Sequence, residues 1–292
     1  MSYTRIEIAG LSIGLESRFS PSQLGIEKRL GPFFAASENG AEDVVIHWRE
    51  GEPTLSSPCD LIYDAGSIWR MYRAPGSRPY QALIDYRSDS GTLGAQALIQ
   101  ADPAWDDLEF IERVGGSGWS SLLGLGAGEL IVRTRLVFSR GLVFHASGID
   151  DGGRGVLFIG QSGAGKSTQA ALWSSVPGVV VMNDDRVAVR IGDAELFCFG
   201  IPWGGTLEIA RNHKAPVAAI MLLEKADENS ISGLPKEAAF PLLVARAFLP
   251  YWEAPLLERS LDVLNEIVAR VPVYSLRCRP EPGVIPLVRS VL

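Results

Sequence analysis

Apolar and polar positions alternate near a period of two in TRIEIAG, DVVIHW, SIWRMYRA and YQALIDYRS, and each segment carries β-branched or aromatic residues. That is the pattern of half-buried strands. Turn-rich pieces such as REGEPTLSSP and APGSRP separate them. Residues 1–112 therefore read as a mainly antiparallel β-rich domain, with a short helix near Ser22 to Arg29. The Gly/Ser-rich stretch VGGSGWSSLLGLGAGE at 114–129 marks a junction, and its Leu content suits a packed helix as well as a linker.

Beyond the junction the texture changes. ELIVRTRLVFSRG has helical spacing, LVFHASGID and GVLFIG read as strands around the turn Asp150-Asp151-Gly152-Gly153, and KSTQAALWSS is helix-capable. VVVMNDD, RVAVRI, ELFCFG, VAAIMLLE and VYSLRC are further strands, with Gly192-Asp193 expected as a two-residue hairpin turn. Residues 236–270 have helical spacing interrupted at Pro241, Pro250 and Pro255. Strands and helices thus intermix over 113–292, an α/β domain behind a smaller β-rich one.

The composition narrows the classes of partner. The 292 residues carry 27 Lys and Arg against 34 Asp and Glu, a net charge of −7, with no basic run to follow a phosphodiester backbone. Nucleic acid is not an expected partner. The start, MSYTRIEIAG, lacks the charged-then-apolar order of a signal peptide, and no apolar run reaches the length of a membrane span, so a cytoplasmic protein without a membrane span is expected. Cys59, Cys198 and Cys278 are odd in number and widely separated, which argues for small core residues over a disulfide framework or a zinc site.

The sharpest chemical signal is Gly160-Gln161-Ser162-Gly163-Ala164-Gly165-Lys166-Ser167-Thr168, a P-loop pattern placed between a strand and a helix. Its glycines let consecutive N–H groups point at phosphate oxygens, and the following helix adds its positive end. Lys166 then neutralises the β and γ phosphates, and the Ser167 hydroxyl ligates Mg²⁺. A second signal is VVVMNDD, which ends an apolar strand in Asp184 and Asp185, 18 positions after Lys166. If that strand neighbours the loop's own strand, one carboxylate holds Mg²⁺ and the other takes a proton from an attacking hydroxyl. The plain alternative is a solvated turn before RVAVRI.

The ordered trio of LVFHASGI (142–149), GVLFIGQSGAGKST (155–168) and VVVMNDDRVAV (179–189) resembles the catalytic domain of the HPr kinase/phosphorylase family, which is similar in core fold to ATP-dependent phosphoenolpyruvate carboxykinase. The resemblance covers about 175 residues of the C-terminal part. It implies ATP and Mg²⁺ as cofactors, His145 near the transferred phosphate, Lys166 and Ser167 on ATP and metal, and the catalytic base within Asp184-Asp185. It also implies an adenine nucleotide and an oligomeric protein. His47 and His213 gain no such support and read as surface residues.

The chain departs from the family in two places. Phe197 stands about where the family has a glutamate, the nearest carboxylate being Glu195, and the loops that accompany recognition of HPr are missing, so HPr is not implied as the acceptor. In that region stands Gly200-Ile201-Pro202-Trp203-Gly204-Gly205-Thr206, which resembles a Pro-Trp-Gly segment of divergent HPr-kinase-like bacterial proteins. Trp203 is either a flat wall of an acceptor pocket or a core tryptophan, and Arg211 is either a cation for the transferring phosphoryl group or a solvated surface residue.

The first reading is an ATP-dependent kinase that phosphorylates a serine-like hydroxyl on a peptide, a protein or a small molecule, with the β-rich domain recognising the acceptor. The alternative is an ATP-binding regulatory or scaffold protein with little or no phosphotransfer.

Overall fold

The computed structural model describes residues 2–18, 30–35, 40–66, 68–87, 93–113, 122, 124 and 126–292. The helix expected near Ser22 to Arg29, and most of the junction at 114–129, lie outside the described residues. Two compact units form, Met1–Phe138 with Tyr251–Ala254, and Ser139–Pro250 with Pro255–Leu292. The sequence expectation put the division near residue 112; helix α1 (Ala127–Phe138) is grouped with the first unit.

The first unit holds one eight-stranded sheet. Its strands are β1 (Ser2–Ile8), β2 (Leu11–Ser17), β3 (Val44–Glu50), β4 (Asp60–Asp64), β5 (Trp69–Arg73), β6 (Tyr80–Arg87), β7 (Leu93–Ala101) and β8 (Asp107–Glu112), in the order β1-β2-β3-β8-β7-β6-β5-β4. The period-two pattern is visible in β3, where Val44, Ile46 and Trp48 are buried and the residues between them are not. The sheet is mixed, since β3 lies parallel to both β2 and β8. The long connection from Ser17 to Val44 is what a parallel neighbour requires, and periodicity carries no information about it. Trp69, Trp105 and Trp252 pack together, with ring centroids 5.3 Å apart for Trp69–Trp252 and 6.4 Å for Trp105–Trp252.

The second unit is built around β9 (Gly141–Asp151) and β10 (Gly155–Ile159), followed by α2 (Lys166–Ser174), β11 (Val179–Asn183), β12 (Arg186–Ile191), β13 (Leu196–Gly200), β14 (Lys214–Lys225) and β15 (Ser230–Leu234). Then come α3 (Lys236–Val244), α4 (Ala254–Arg270), β16 (Val273–Cys278) and α5 (Val284–Arg289). The sheet order is β10-β9-β12-β13-β14-β16-β15, β11 also pairs with β9, and β10 pairs with β14, so the ladder returns to β10. Both sheets are mixed and helices are few, an α/β protein as the intermixed pattern predicts.

Phe158 and Trp173 anchor the core beneath the glycine-rich loop at 160–165, with ring centroids 6.1 Å apart and both fully buried, and with Ile149, Val156, Val181 and Met221 around them. Helix α4 buries Leu256, Ser260, Val263, Leu264, Ile267 and Val268, the three-and-four spacing of one helical face.

Two expectations are corrected. The β12–β13 hairpin turns over four residues, 192–195, closed by Gly192 N–H donating to Glu195 O at 2.8 Å; its last paired residues are Ile191 and Leu196. Pro241 lies inside α3 without ending it, whereas the real break falls at 245–253. Pro255 sits at the second position of α4, where a helix N–H has no intrahelical partner to lose. Of the cysteines, Cys198 and Cys278 are buried, but Cys59 is only half-buried. No helix among the described residues is long and apolar enough to cross a membrane.

Candidate active site

The glycine-rich loop runs from the end of β10 into α2, with Gly163 at φ +78° and Gly165 at φ +108°, torsions that side-chained residues rarely adopt. Lys166 folds back over the loop, its Nζ donating to Gly160 O at 3.1 Å and Gln161 O at 3.0 Å. Only 6% of the lysine is exposed. Burial pushes its pKa down, and the Asp185 carboxylate partly offsets that by favouring the ammonium. Behind the loop, the buried Ser147 hydroxyl of β9 donates to Lys166 O at 2.9 Å.

β10 and β11 are not neighbours, as the sequence reading required for bringing the acid to the loop; β9 lies between them and pairs with both. β12 continues along the same edge of β9 after β11, with Arg186 opposite His145. Between β11 and β12 the chain bends at Asp184-Asp185, and Asp185 O accepts the Ala146 N–H at 3.0 Å. One strand therefore carries His145 and Ser147 and sets the place of both loop and acid.

The bend sends the two carboxylates apart. Asp184 is 1% exposed and accepts three backbone N–H groups, from Gly205 (2.8 Å) and Ile209 (3.2 Å) on Oδ1 and from Leu207 (2.8 Å) on Oδ2. It holds the 205–209 loop. Asp185 Oδ1 lies 3.0 Å from His145 Nε2, and its Oδ2 takes a short contact from Arg186. The His145 hydrogen bond, with Arg186 and Lys166 adding to it against the effect of burial, holds the Asp185 carboxyl below the usual carboxylate range.

His145, Lys166, Ser167 and Asp185 line one cavity of about 280 Å³, together with Ser162, Gly163, Gly165, Thr168 and Thr206. Among the described residues no group of three or more His, Cys, Asp and Glu side chains is arranged to hold a metal ion. The donors present suit Mg²⁺ even so, because Ser167 and Asp185 offer hard oxygens in the same cavity and Mg²⁺ takes most of its shell from waters and phosphates.

The Pro-Trp-Gly segment is buckled to the acid strand. Asn183, fully buried, donates through Nδ2 to Ile201 O (2.8 Å) and Trp203 O (3.1 Å), while its Oδ1 accepts from the Asp185 and Arg186 N–H groups at 2.8 Å. Trp203 is 3% exposed, a core tryptophan rather than the wall of an open pocket. Arg211 is exposed, with its main chain tied to Met182 O, and it is not among the residues that line the cavities described at the loop. Glu195 is exposed in the hairpin turn at the opposite end of β13 from the end that meets Val187, and Phe197 packs under Lys214.

Sequence reasoning missed Asn183, Thr206 and Arg246. Asn183 stands within the quoted NDD run, and its burial is the signal of a loop buckle. Arg246 and the neighbouring Ala245, Ala247 and Phe248 face Gly160–Ser162 across a second cavity of about 340 Å³ that His145 also lines. This segment is held to β9 by His145 N–H donating to Arg246 O and Phe248 N–H to Val143 O, both at 2.9 Å. His213 is paired with Asp150 at 2.8 Å, and His47 lies between Glu16 (2.8 Å) and Asp107 (3.1 Å).

No family model matches the chain, and no curated protein matches it. Among solved structures the chain is similar to the HPr(Ser) kinase/phosphatase from Coxiella burnetii, over 51% of this chain and 94% of that one, at 16% identity and a TM-score of 0.32. That is a distant likeness, and the functional reading rests instead on the side chains around the loop.

Proposed function

We propose that this protein is an ATP-dependent, HPr-kinase-like phosphotransferase that moves the γ-phosphoryl group of ATP to a serine-like hydroxyl on a peptide, a protein or a small molecule. The observation that carries the reading is the convergence of Lys166, Ser167, Asp185 and His145 on one cavity. The loop N–H groups and Lys166 bind and orient the triphosphate, and Ser167 and Asp185 are the residues that would hold Mg²⁺, which supplies charge neutralisation across the β and γ phosphates when bound.

The acceptor oxygen forms a bond to the γ-phosphorus as the bond to the β–γ bridging oxygen breaks, ADP leaves, and the hydroxyl proton passes to Asp185. A carboxylate held ionised by His145 and Arg186 is a weak base, which suits a loose transition state in which the proton departs late. His145 steadies the acid and offers its ring to the incoming charge.

A second reading, an ATP-binding regulatory or scaffold protein, is favoured by the lack of a carboxylate at Phe197 and the remote place of Glu195. Purified protein with Mg²⁺, γ-labelled ATP and a panel of serine-containing peptides separates the two. Label on a peptide that Asp185→Asn abolishes supports the kinase; tight ATP binding with neither transfer nor phosphate release supports the scaffold.

A further inference from the structure

Helix α3 is apolar on two faces. One face buries Ala239 and Leu243, one turn apart. The other carries Ala238, Pro241, Leu242 and, at the helix end, Ala245, which recur at intervals of three and four and are all exposed, Leu242 by 39%. A contiguous apolar stripe on a surface helix gains nothing for the fold that bears it and marks a face that meets a partner.

The position of the stripe tells which partner. Ala245 ends it and also lines the cavity of about 340 Å³ that His145, Phe248 and Gly160–Ser162 share. Lys166 Nζ donates to Gly160 O and Gln161 O, so the terminal phosphate that this lysine would neutralise lies at that end of the loop. An attacking hydroxyl then enters from this cavity, and the stripe leads up to it. Arg246, next to Ala245, lines the same cavity and donates from Nη1 to Leu242 O at 3.1 Å. Among the described residues its guanidinium meets no carboxylate, which leaves it complementary to an acidic side chain on a partner.

Resting on the transfer reading above, we infer that the exposed face of α3 and Arg246 dock the acceptor, and that the acceptor is a polypeptide with apolar side chains close to its reactive hydroxyl and an acidic residue among them. From Ala238 to Ala245 the stripe is about 10 Å long, the reach of about three residues of extended chain or about two turns of helix. A small hydroxyl compound occupies the cavity alone and leaves the stripe in water. A chain that crosses the cavity covers both. Choice among acceptors therefore resides on α3, beside the cavity in which the hydroxyl reacts.

The test is transfer from γ-labelled ATP to a positional-scanning library of short peptides with one central serine, and to N-acetylserine amide, by the full chain, Leu242→Glu and Arg246→Ala. ATP affinity and sedimentation are measured on the same preparations. The unaltered protein is expected to favour Leu, Ile or Phe and an acidic residue within about three positions of the serine. Leu242→Glu should remove the apolar preference and raise KM for the favoured peptide at least about tenfold, with ATP affinity kept. Arg246→Ala should remove the acidic preference. A library labelled without apolar preference, or a preference that Leu242→Glu leaves intact, overturns the docking face. Label on N-acetylserine amide and on no peptide overturns the polypeptide acceptor and leaves the transfer reading standing; ATP binding with no label on any probe overturns both. An oligomer of the unaltered chain that Leu242→Glu splits, with peptide preferences unchanged, gives the face to a second copy and overturns the proposal.

Discussion

Nε2 of His145, on β9, lies 3.0 Å from Oδ1 of Asp185, in the bend just before β12, where Arg186 pairs with His145 and Asp185 O accepts the Ala146 N–H. Asp184, next in the chain, points elsewhere and is closed off by three backbone N–H groups. Two neighbouring carboxylates thus have unlike surroundings, and substitution should separate them.

Asp185→Asn keeps the volume of the side chain and removes its capacity to take a proton. Phosphotransfer should fall roughly a hundred- to ten-thousand-fold while binding of metal-free ATP changes little. Single-turnover transfer and equilibrium binding on the same preparation read both quantities.

Asp184→Asn should act on the loop instead. Asparagine cannot accept three N–H bonds with equal strength, and stability should drop by about 1–3 kcal/mol. Hydrogen exchange is the direct readout: the amides of Gly205, Leu207 and Ile209 should lose protection in this variant and keep it in Asp185→Asn.

His145→Ala removes the main influence that holds the Asp185 carboxyl low. The carboxyl pKa then rises, so the acidic limb of the rate profile should move to higher pH. The stability that Asp185 contributes is fully present above the unfolded carboxyl value of about 3.9 and is lost as pH falls through the lowered folded value. In His145→Ala that contribution should be smaller and be lost at a higher pH, which acid-unfolding curves of the two proteins measure.

At Gly205 a methyl group would sit 2.8 Å from Asp185 Cβ and 2.9 Å from Asp184 Oδ2. Gly205→Ala must therefore push the loop off the acid strand. A loss of about 1–3 kcal/mol is expected, together with reduced transfer on the proposed function, because Thr206 lines the cavity that His145 and Asp185 share. Urea unfolding and steady-state rates check the two effects.

Asp151 accepts from Arg289 at 2.7 and 2.9 Å and from Arg154 at 2.9 Å, and the Arg289 hydrogen bonds hold its carboxyl below the ordinary range. The latch between α5 and β9 should be intact above about pH 4 and fail as pH falls through the lowered value. Arg289→Gln should flatten the acid dependence of stability in that window and leave the neutral-pH transfer rate unchanged.

Strands such as DVVIHW and the strand-loop-helix around Lys166 were legible in the sequence because alternation and glycine placement are local properties. The parallel placement of β3 and the central position of β9 were not, because pairing joins residues far apart in the chain and leaves no periodic trace. The bend at 184–185 hid the division between the two aspartates, which adjacency in sequence suggests should act together. Trp203 carried two open readings until its burial decided for the core, and Asn183 was passed over because its role is defined by carbonyls some twenty positions away. The hairpin failed on turn chemistry: Gly192-Asp193 has the residues of a two-residue turn, yet the strands stop pairing at Ile191 and Leu196.

Because β9 is hydrogen-bonded to the loop strand on one side and to the strands that flank the 184–185 bend on the other, melting β9 removes the support of both the loop and the bend. If the proposed transfer reaction holds, heating should lower nucleotide binding and transfer together, with few molecules that bind without reacting.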